Sequence, residues 1–390
     1  MGSLIRRAIA VVTGTFALVL VSSTAALAGS DVYAAPERLP KGKPGTVITT
    51  EPIAAPAGAR AWRVLYKSTA VDGSEVAVSG VIVAPEGRAP KRGRPVVAWA
   101  HGTTGIADAC APSKRDDIAS ALPFVDELVA SGYVVAATDY EGLGTPGVHP
   151  YLVGASEGAG VLDAARAARA LRGAGAGRDV VVWGHSQGGH AALFAGEMAG
   201  EYAPELTLEG VIAGAPATEI ARTIPLAAQF PRAAGFYALA AKGLLAAYPD
   251  DVDEASLFTP EALEAAKVAD DACVVDVIQQ LSTFPGSLAP GDISEDEVIV
   301  DLFEQSSAGD RPAGAPVLVV QGTTDMIVNK GSTDRFVEKV CALGDVVDYV
   351  TYEGAGHVDV VATAKPDILA WISARFTGDA ARSTCPTSSS

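Results

Sequence analysis

One serine lies in a sequence that could make it a nucleophile, GHSQG at residues 184–188. An apolar run at residues 180–183 precedes it, and a helical pattern at residues 189–199 follows it. A G-x-S-x-G sequence between a strand and a helix is typical of a sharp turn that strains the serine and lifts its hydroxyl above a sheet. Glycines flank the serine because such a turn is crowded. The alternative is a plain glycine turn, but this context predicts that Ser186 is a nucleophile.

A serine nucleophile needs a histidine base, and the base needs a carboxylate that orients it. Where this turn occurs, the acid and then the histidine follow the serine along the chain. Of the five histidines, His357 follows the last predicted strand, and Asp325 follows the strand predicted before that one. We therefore predict that Asp325 and His357 complete a triad with Ser186. Three neighbouring carboxylates compete with Asp325, the first typical of a helix surface and the second of a turn: Asp334, Asp345 and Asp359.

A tetrahedral intermediate also needs donors for its oxyanion. The first expected donor is the backbone N–H that follows the nucleophile, at Gln187. The second should come from the loop after an earlier apolar strand, here HGTTG at residues 101–105. We predict Thr103 as this second donor, with Thr104 as the alternative.

The other histidines carry no such pattern. His101 and His185 are interpreted as structural neighbours within the two turns rather than as proton carriers. His149 and His190 lie in no motif, so surface or packing roles are expected for them. The sequence DYEGLG at residues 139–144 ends a strand and borders the same rim, but we assign it no catalytic role.

Short β-branched runs alternate with helical patterns, which predicts a mostly parallel sheet that is buried on both faces and flanked by helices. Residues 29–58 are predicted to be an extended lead-in, and a hairpin around Asp72-Gly73 follows. With the order of the triad, this pattern predicts an α/β-hydrolase fold. The predicted strands are residues 62–69, 75–84, 95–100, 133–138, 179–183, 208–213, 316–320 and 346–352.

Helical patterns cover residues 114–131 and 157–171, and the second should expose Asp163, Arg166 and Arg169. The alternation stops at residues 217–312, where helical patterns occur without strands. We predict a helical insertion between the sixth and seventh strands that forms a cap or lid over the site. The alternative is a helical subdomain that only supports stability. The predicted helices are residues 224–247, 260–267 and 272–281.

The N-terminus has Arg6 and Arg7, an apolar run at residues 8–21 and the sequence ALA at residues 26–28. This pattern predicts a signal peptide over residues 1–28, and therefore a secreted catalytic domain over residues 29–390. A membrane anchor is the alternative, but the run is short and no basic cluster follows it. Losing the two arginines changes the formal net charge from −17 to −19. Such an acidic surface repels nucleic acid and anionic membranes.

Four cysteines follow the predicted cleavage site, namely Cys110, Cys273, Cys341 and Cys385. An even number in an exported chain favours two disulfides, and three pairings are possible. None of these cysteines has the C-x-x-C spacing that is typical of zinc sites, so a zinc site is not expected.

With these motifs in place, the chain resembles the secretory lipase family, the lipase A type of the α/β hydrolases. The resemblance implies a helical lid and hydrolysis of acylglycerols or simpler esters. It also implies that Cys110 pairs with Cys273, which leaves Cys341 to pair with Cys385. It spans roughly residues 60–375 and rests on VAWAHGTTGIADAC at 97–110, ATDYEGLGTPG at 137–147, VWGHSQGGH at 182–190, residues 321–328 and residues 354–357.

The chain departs from some family members at two places. It has His185 where they have a tyrosine, and the pair Thr103-Thr104 where they have an acidic side chain.

These observations predict a secreted carboxylic ester hydrolase that needs no metal or organic cofactor. Its expected partners are small-molecule or lipid esters, with transient contact to lipid interfaces, no nucleic acid and no obligate protein partner. A secreted serine peptidase and an acyltransferase are the alternatives on the same fold. A binding protein that kept the fold without catalysis is a further alternative, against which the complete set of Ser186, Asp325 and His357 argues.

Overall fold

The computed structural model describes residues 31–386, so the predicted signal peptide lies outside the described residues. Nine strands form one sheet in the order β1-β2-β3-β5-β4-β6-β7-β8-β9. The strands are β1 (Val47–Ile53), β2 (Ala59–Thr69), β3 (Glu75–Pro85), β4 (Arg94–Ala100), β5 (Val134–Thr138), β6 (Ala176–His185), β7 (Thr207–Gly214), β8 (Val317–Gly322) and β9 (Val347–Tyr352).

The sheet has an antiparallel edge and a parallel centre. Strands β1, β2 and β3 pair antiparallel, and β3 is antiparallel to β5. The strands from β5 through β4 to β9 are parallel. Every residue of β5 and β8 is buried, as expected of central strands that helices cover on both faces. The predicted α/β-hydrolase arrangement of a mostly parallel sheet between helices is confirmed.

Helices cover both faces of the sheet. One apolar core lies under α3, α4 and α12, and a second lies under α1, α2 and α14. These helices and the short α13 are α1 (Ile118–Ala121), α2 (Val125–Ala130), α3 (Gly154–Ala170), α4 (Gln187–Tyr202), α12 (Lys330–Ala342), α13 (Asp359–Thr363) and α14 (Lys365–Thr377).

A helical insertion connects β7 to β8, at the position predicted for residues 217–312. Its apolar core includes Ile224, Tyr237, Leu257 and Leu302, and among the described residues only Ile106, Tyr151 and Leu152 join this core from outside the insertion. Its helices are α5 (Ile220–Ala227), α6 (Ala234–Ala247), α7 (Glu254–Leu257), α8 (Pro260–Ala266), α9 (Val268–Asp271), α10 (Val274–Leu281) and α11 (Glu297–Gln305).

The N-terminal edge differs from the prediction. Residues 29–58 were predicted to be an extended lead-in, but Val47–Ile53 forms strand β1 against β2. This strand lies at an edge and is only partly buried, so its sequence shows no clean apolar alternation. The helical insertion therefore follows the seventh strand rather than the sixth.

Two predicted helices are interrupted by prolines. Residues 114–131 form α1 and α2 rather than one helix, because Leu122 precedes Pro123 and is extended. Residues 224–247 are likewise divided between α5 and α6, with Pro231 in the connection. Within the insertion the sequence patterns also missed α7, α9 and α11.

The exposed face predicted for α3 is wrong at Asp163. This carboxylate is fully buried and accepts hydrogen bonds from Ser68, Arg166 and Tyr202. Burial raises its pKa to about 6, although these three donors oppose that shift.

Two disulfides join the cysteines in the pairing that the resemblance implied, Cys110 with Cys273 and Cys341 with Cys385. The first connects the helical insertion to the loop after β4. Among residues 31–386, no helix is both long enough and apolar enough to cross a membrane.

Candidate active site

Ser186 lies in the tight turn between β6 and α4, with a φ of 60° and a ψ of −120°. This conformation is strained for a residue with a Cβ, and such strain typically concentrates at functional sites. A Cβ at Gly184 would lie 1.9 Å from the carbonyl oxygen of Gly188. A Cβ at Gly188 would lie equally close to the carbonyl oxygen of Ala100. Gly184 is therefore required for the turn to close on itself, and Gly188 is required for the turn to pack against β4.

The structure brings together the three residues predicted to form the triad. His357 Nε2 lies 2.9 Å from Ser186 Oγ, and His357 Nδ1 lies 2.7 Å from Asp325 Oδ2. With the Nδ1 proton donated to the carboxylate, Nε2 is free to accept the serine proton. Each residue follows the carboxyl end of a strand, namely β6, β8 and β9, so the parallel sheet gathers all three at one edge.

Asp325 is held by the backbone of its own loop. Its Oδ1 accepts hydrogen bonds from the N–H groups of Ile327 at 2.8 Å and Val328 at 2.9 Å. Gln321 Nε2 donates to Oδ2 at 3.1 Å. Burial raises the pKa of the Asp325 carboxyl, but the hydrogen bond and charge of His357 and the two N–H donors outweigh it. The net pKa is lowered, so the group is ionised.

The competing carboxylates have other neighbours. Asp334 accepts hydrogen bonds from Lys330 and Tyr349, and Asp345 accepts one from the N–H of Ala313. Asp359 lies in the first turn of α13.

The side chain of His185 forms its hydrogen bond with His357 rather than with Ser186. Its Nε2 donates to the backbone carbonyl oxygen of His357 at 2.8 Å, and the two ring centroids are 4.7 Å apart. Burial, with the nearby His357, lowers the pKa of His185 to about 4. His185 is therefore neutral near pH 7, which agrees with the structural role predicted for it.

The two residues predicted to donate to the oxyanion lie on two different segments beside the serine. Gln187 is the first residue of α4, so its backbone N–H has no acceptor within the helix. In the second segment, a Cβ at Gly102 would lie 3.7 Å from Ser186 Cβ, which places the loop after β4 against the nucleophile. In that loop Thr103 Oγ1 lies 2.8 Å from the hydroxyl of Tyr151, and the carbonyl oxygen of Thr104 accepts from the N–H of Val274.

The remaining histidines are buried and hydrogen-bonded. His101 Nε2 lies 3.2 Å from the carbonyl oxygen of Asp139. His149 and His190, for which a surface position was open, are fully buried. Both lie near the carboxylate of Glu157, a residue that the sequence analysis did not single out. The available signal was one acid within the run of small residues GASEGAG at residues 154–160.

Ser186 and Gln187 form part of the wall of a cavity of about 470 Å³. Its rim carries unusually exposed apolar side chains, with Met326 93% and Phe230 59% exposed. The lining comes mainly from α5 with the segments on either side of it and from the loop after β8, and its apolar members include Leu152, Ile224, Leu226, Ala227, Phe230, Phe236, Met326, Ile327 and Val328.

Solved structures show the class of fold. Candida antarctica lipase A in its closed state superposes with a TM-score of 0.75 at 21% identity, over 92% of this chain and 88% of that chain. The rice cell wall degrading esterase LipA from Xanthomonas oryzae superposes with a TM-score of 0.72 at 20% identity, over 86% of this chain and 99% of that chain. The fold is therefore that of the α/β hydrolases.

A family model described as secretory lipase matches residues 117–384, and the chain belongs to this family. The resemblance inferred from the motifs is thereby confirmed, and the chain is a carboxylic ester hydrolase by class.

Curated relatives include fungal lipases. Lipase 6 of Candida albicans is 26% identical over 91% of this chain and 82% of its own length. The secreted triacylglycerol lipase LIP4 of Malassezia globosa is 26% identical over 83% of this chain and 74% of its own length. A Mycobacterium tuberculosis relative, 26% identical over 86% of this chain and 79% of its own length, is named a probable inactive lipase. Membership of the family alone therefore does not establish catalysis, which depends on the residues present in each chain.

Proposed function

We propose that this protein is a secreted lipase or esterase that cleaves acylglycerols or simpler esters through an acyl-enzyme on Ser186. One observation carries the proposal. A continuous hydrogen-bonded chain runs from Asp325 through His357 to Ser186, and the serine opens into an apolar cavity. Nucleophile, base and orienting acid are the three groups that acyl transfer needs.

In this mechanism Ser186 Oγ attacks the ester carbonyl carbon while His357 Nε2 takes the hydroxyl proton. Asp325 holds the imidazole in the required tautomer and stabilises the imidazolium that forms. The N–H groups of Gln187 and Thr103 stabilise the oxyanion, and His357 then protonates the leaving alcohol. Water attacks the acyl-enzyme by the same route, which releases the acid and restores Ser186.

The cavity supports an apolar acyl group as the recognised part of the substrate. Its lining offers the chain of a fatty acid a surface from which water is displaced on binding. The name of one relative agrees with this, since it is a secreted triacylglycerol lipase. Leu226 and Phe230 of the helical insertion and Met326 and Ile327 of the loop after β8 line this cavity and expose apolar surface to solvent. We therefore propose transient contact with lipid interfaces, with the helical insertion as the lid.

The test is hydrolysis of p-nitrophenyl esters with acyl chains of about two to sixteen carbons, beside tributyrin and triolein emulsions. The unchanged protein is compared with Ser186→Ala, which should lower kcat by roughly a million-fold. Turnover of long chains and emulsions identifies a lipase, whereas turnover of only short soluble esters identifies an esterase. An active Ser186→Ala protein would contradict the mechanism. Absence of turnover on every ester would favour a peptidase or an acyltransferase.

Secretion is tested separately. Expression of the full chain in an exporting host should give an extracellular protein whose N-terminal residue is Gly29. The two disulfides suit an oxidising compartment. Retention of residues 1–28 in the mature protein would contradict this part of the proposal.

A further inference from the structure

The segment 149–152 touches both residues that the proposed mechanism uses as oxyanion donors. The Tyr151 hydroxyl lies 2.8 Å from Thr103 Oγ1. Two residues earlier, His149 Nε2 lies 2.8 Å from the side-chain amide nitrogen of Gln187. This four-residue segment thus contacts both predicted oxyanion donors. Thr103 lies in the loop after β4, and Gln187 lies at the start of α4.

Glu157 fastens this segment to the nucleophile turn. It projects from α3, and its side chain is completely buried. Its Oε1 accepts one hydrogen bond from Gln187 Nε2 at 2.7 Å and another from the backbone N–H of Leu152 at 3.0 Å. Leu152 has a φ of 60°, a left-handed conformation that is costly for a leucine and must be held by its surroundings. A single carboxylate oxygen, Glu157 Oε1, therefore links segment 149–152 to the side chain of Gln187.

The protons of this cluster follow from its geometry. Both hydrogens of the Gln187 amide are used, one on Glu157 Oε1 and one on His149 Nε2. His149 must then carry its own proton on Nδ1, which donates to the carbonyl oxygen of Glu141 at 2.9 Å. Burial lowers the pKa of His149 to about 4, so a neutral ring agrees with this assignment. The side chain of Gln187 thus has one favoured orientation.

The second oxygen of Glu157 is also occupied. His190 Nε2 lies 2.8 Å from the carbonyl oxygen of Ser306 and donates to it, since a carbonyl can only accept. His190 Nδ1 lies 2.7 Å from Glu157 Oε2, so a single proton bridges these two atoms. Because Ser306 is the C-cap residue that directly follows α11, the cluster also reaches the helical insertion.

We infer that segment 149–152 and Glu157 form a positioning element that holds Gln187 and Thr103 in the geometry the oxyanion requires. This inference rests on the proposed function and adds to it two residues that touch neither substrate nor reacting atoms, His149 and Glu157. The physical reason is that preorganised donors stabilise a developing charge only when they are already in place. A misplacement of about 1 Å near reacting groups can cost about 100-fold in rate.

Two substitutions test the two contacts separately. Tyr151→Phe removes the hydroxyl that contacts Thr103. His149→Phe removes the acceptor for Gln187 and keeps a ring to stack on Tyr140. Each should lower kcat roughly 10-fold to 100-fold with KM nearly unchanged. The inhibition constant of an alkyl boronic acid, which forms a tetrahedral anion on Ser186, should rise in parallel with the loss of kcat.

Two further variants supply controls. Tyr66→Phe removes another buried tyrosine hydroxyl, one that lies 2.7 Å from Thr138 Oγ1 and 3.0 Å from the carbonyl oxygen of Gly160, and should leave kcat unchanged. Glu157→Gln can keep every bond, because its oxygen can accept from Gln187 and Leu152 while its amide donates to His190 Nδ1. This variant should therefore retain kcat within about 3-fold, on the ground that the hydrogen bonds are preserved.

The inference is overturned if Tyr151→Phe and His149→Phe turn over esters at the unchanged rate. It is also overturned if Tyr66→Phe or Glu157→Gln is as impaired as they are. Either result with an inactive Ser186→Ala protein would leave the proposed function standing. An active Ser186→Ala protein would instead remove the proposed function itself.

Discussion

His185 Nε2 donates a hydrogen bond to the backbone carbonyl oxygen of His357, 2.8 Å away. The residue before the nucleophile thus holds the backbone of the residue that carries the base. The contact joins the ends of two strands that are not neighbours in the sheet, because β6 and β9 are separated by β7 and β8. A hydrogen bond outside the triad therefore helps to fix the position of His357 relative to Ser186.

His185→Phe removes this donor and keeps an aromatic ring beside His357. We expect kcat to fall about 10-fold with KM unchanged, because the imidazole loses a restraint on its position. Because His185 is neutral above about pH 4, the dependence of kcat/KM on pH should keep its shape between pH 5 and 9. A changed pH profile would show instead that His185 takes part in proton transfer.

Asp325→Asn tests the choice among the carboxylates. The amide cannot accept the Nδ1 proton as the carboxylate does, so kcat should fall about 10,000-fold with the fold intact. Asp334→Asn is the matched control, since Asp334 contacts Lys330 and Tyr349 instead of His357. Rates of p-nitrophenyl ester hydrolysis distinguish the two. Comparable activity in the two variants would contradict the assignment of Asp325.

The two disulfides should differ in their effect on activity. Cys110 and Cys273 are 163 residues apart and Cys341 and Cys385 are 44 apart, so loop entropy sets upper limits of about 5 and about 4 kcal/mol on their stabilisation. Replacing either pair by alanine should lower Tm. Only the loss of the Cys110–Cys273 disulfide should also lower kcat. The reason is that Cys273 forms an isolated β-bridge with Gly105, which lies in the loop that carries Thr103.

Both double variants would be assayed well below their melting temperatures, with Tm from calorimetry and kcat on one soluble ester. Equal kcat in the two variants would contradict a link between this disulfide and the oxyanion loop.

Glu197 should make stability depend on pH. Burial raises its pKa from 4.5 to about 7, despite a hydrogen bond from the N–H of Gly309. Between those two values the folded protein keeps a proton that the unfolded chain has lost, so stability decreases as the pH rises through this window. Glu197→Gln is neutral at every pH and can still accept from Gly309. Its Tm should therefore fall less than that of the unchanged protein between pH 5 and pH 8.

Glu201→Gln is the control for this comparison, because the Glu201 side chain is 85% exposed. Its Tm should show the same decrease with pH as the unchanged protein. A Glu197→Gln protein with that same decrease would contradict the prediction.

The residues of the triad could be predicted because local rules act on them. The turn at Ser186 admits only glycine at 184 and 188, and this requirement is visible in the sequence. The parallel strands then determine where Asp325 and His357 must follow. The chain order of the three residues supplied the rest.

The cluster around Glu157 could not be predicted in the same way. Glu157 bonds to residues 30 and 33 positions away, and no local pattern records such pairs. The exposed face predicted for α3 was also wrong at Asp163, because a charged residue was expected to be exposed to solvent. The helix is rich in glycine and alanine, packs closely against its neighbours and is buried on almost every side. Asp163 and Glu157 are consequently interior groups with specific partners.

Neighbouring strands β7 and β8 hold the two ends of the helical insertion, whose apolar core is made almost entirely of its own residues. None of Ser186, Asp325 and His357 belongs to it. Its sequence can therefore diverge through evolution while the sheet and the three side chains are kept. Descendants of one ancestral hydrolase could change the substrates they accept by altering a single contiguous stretch of the gene.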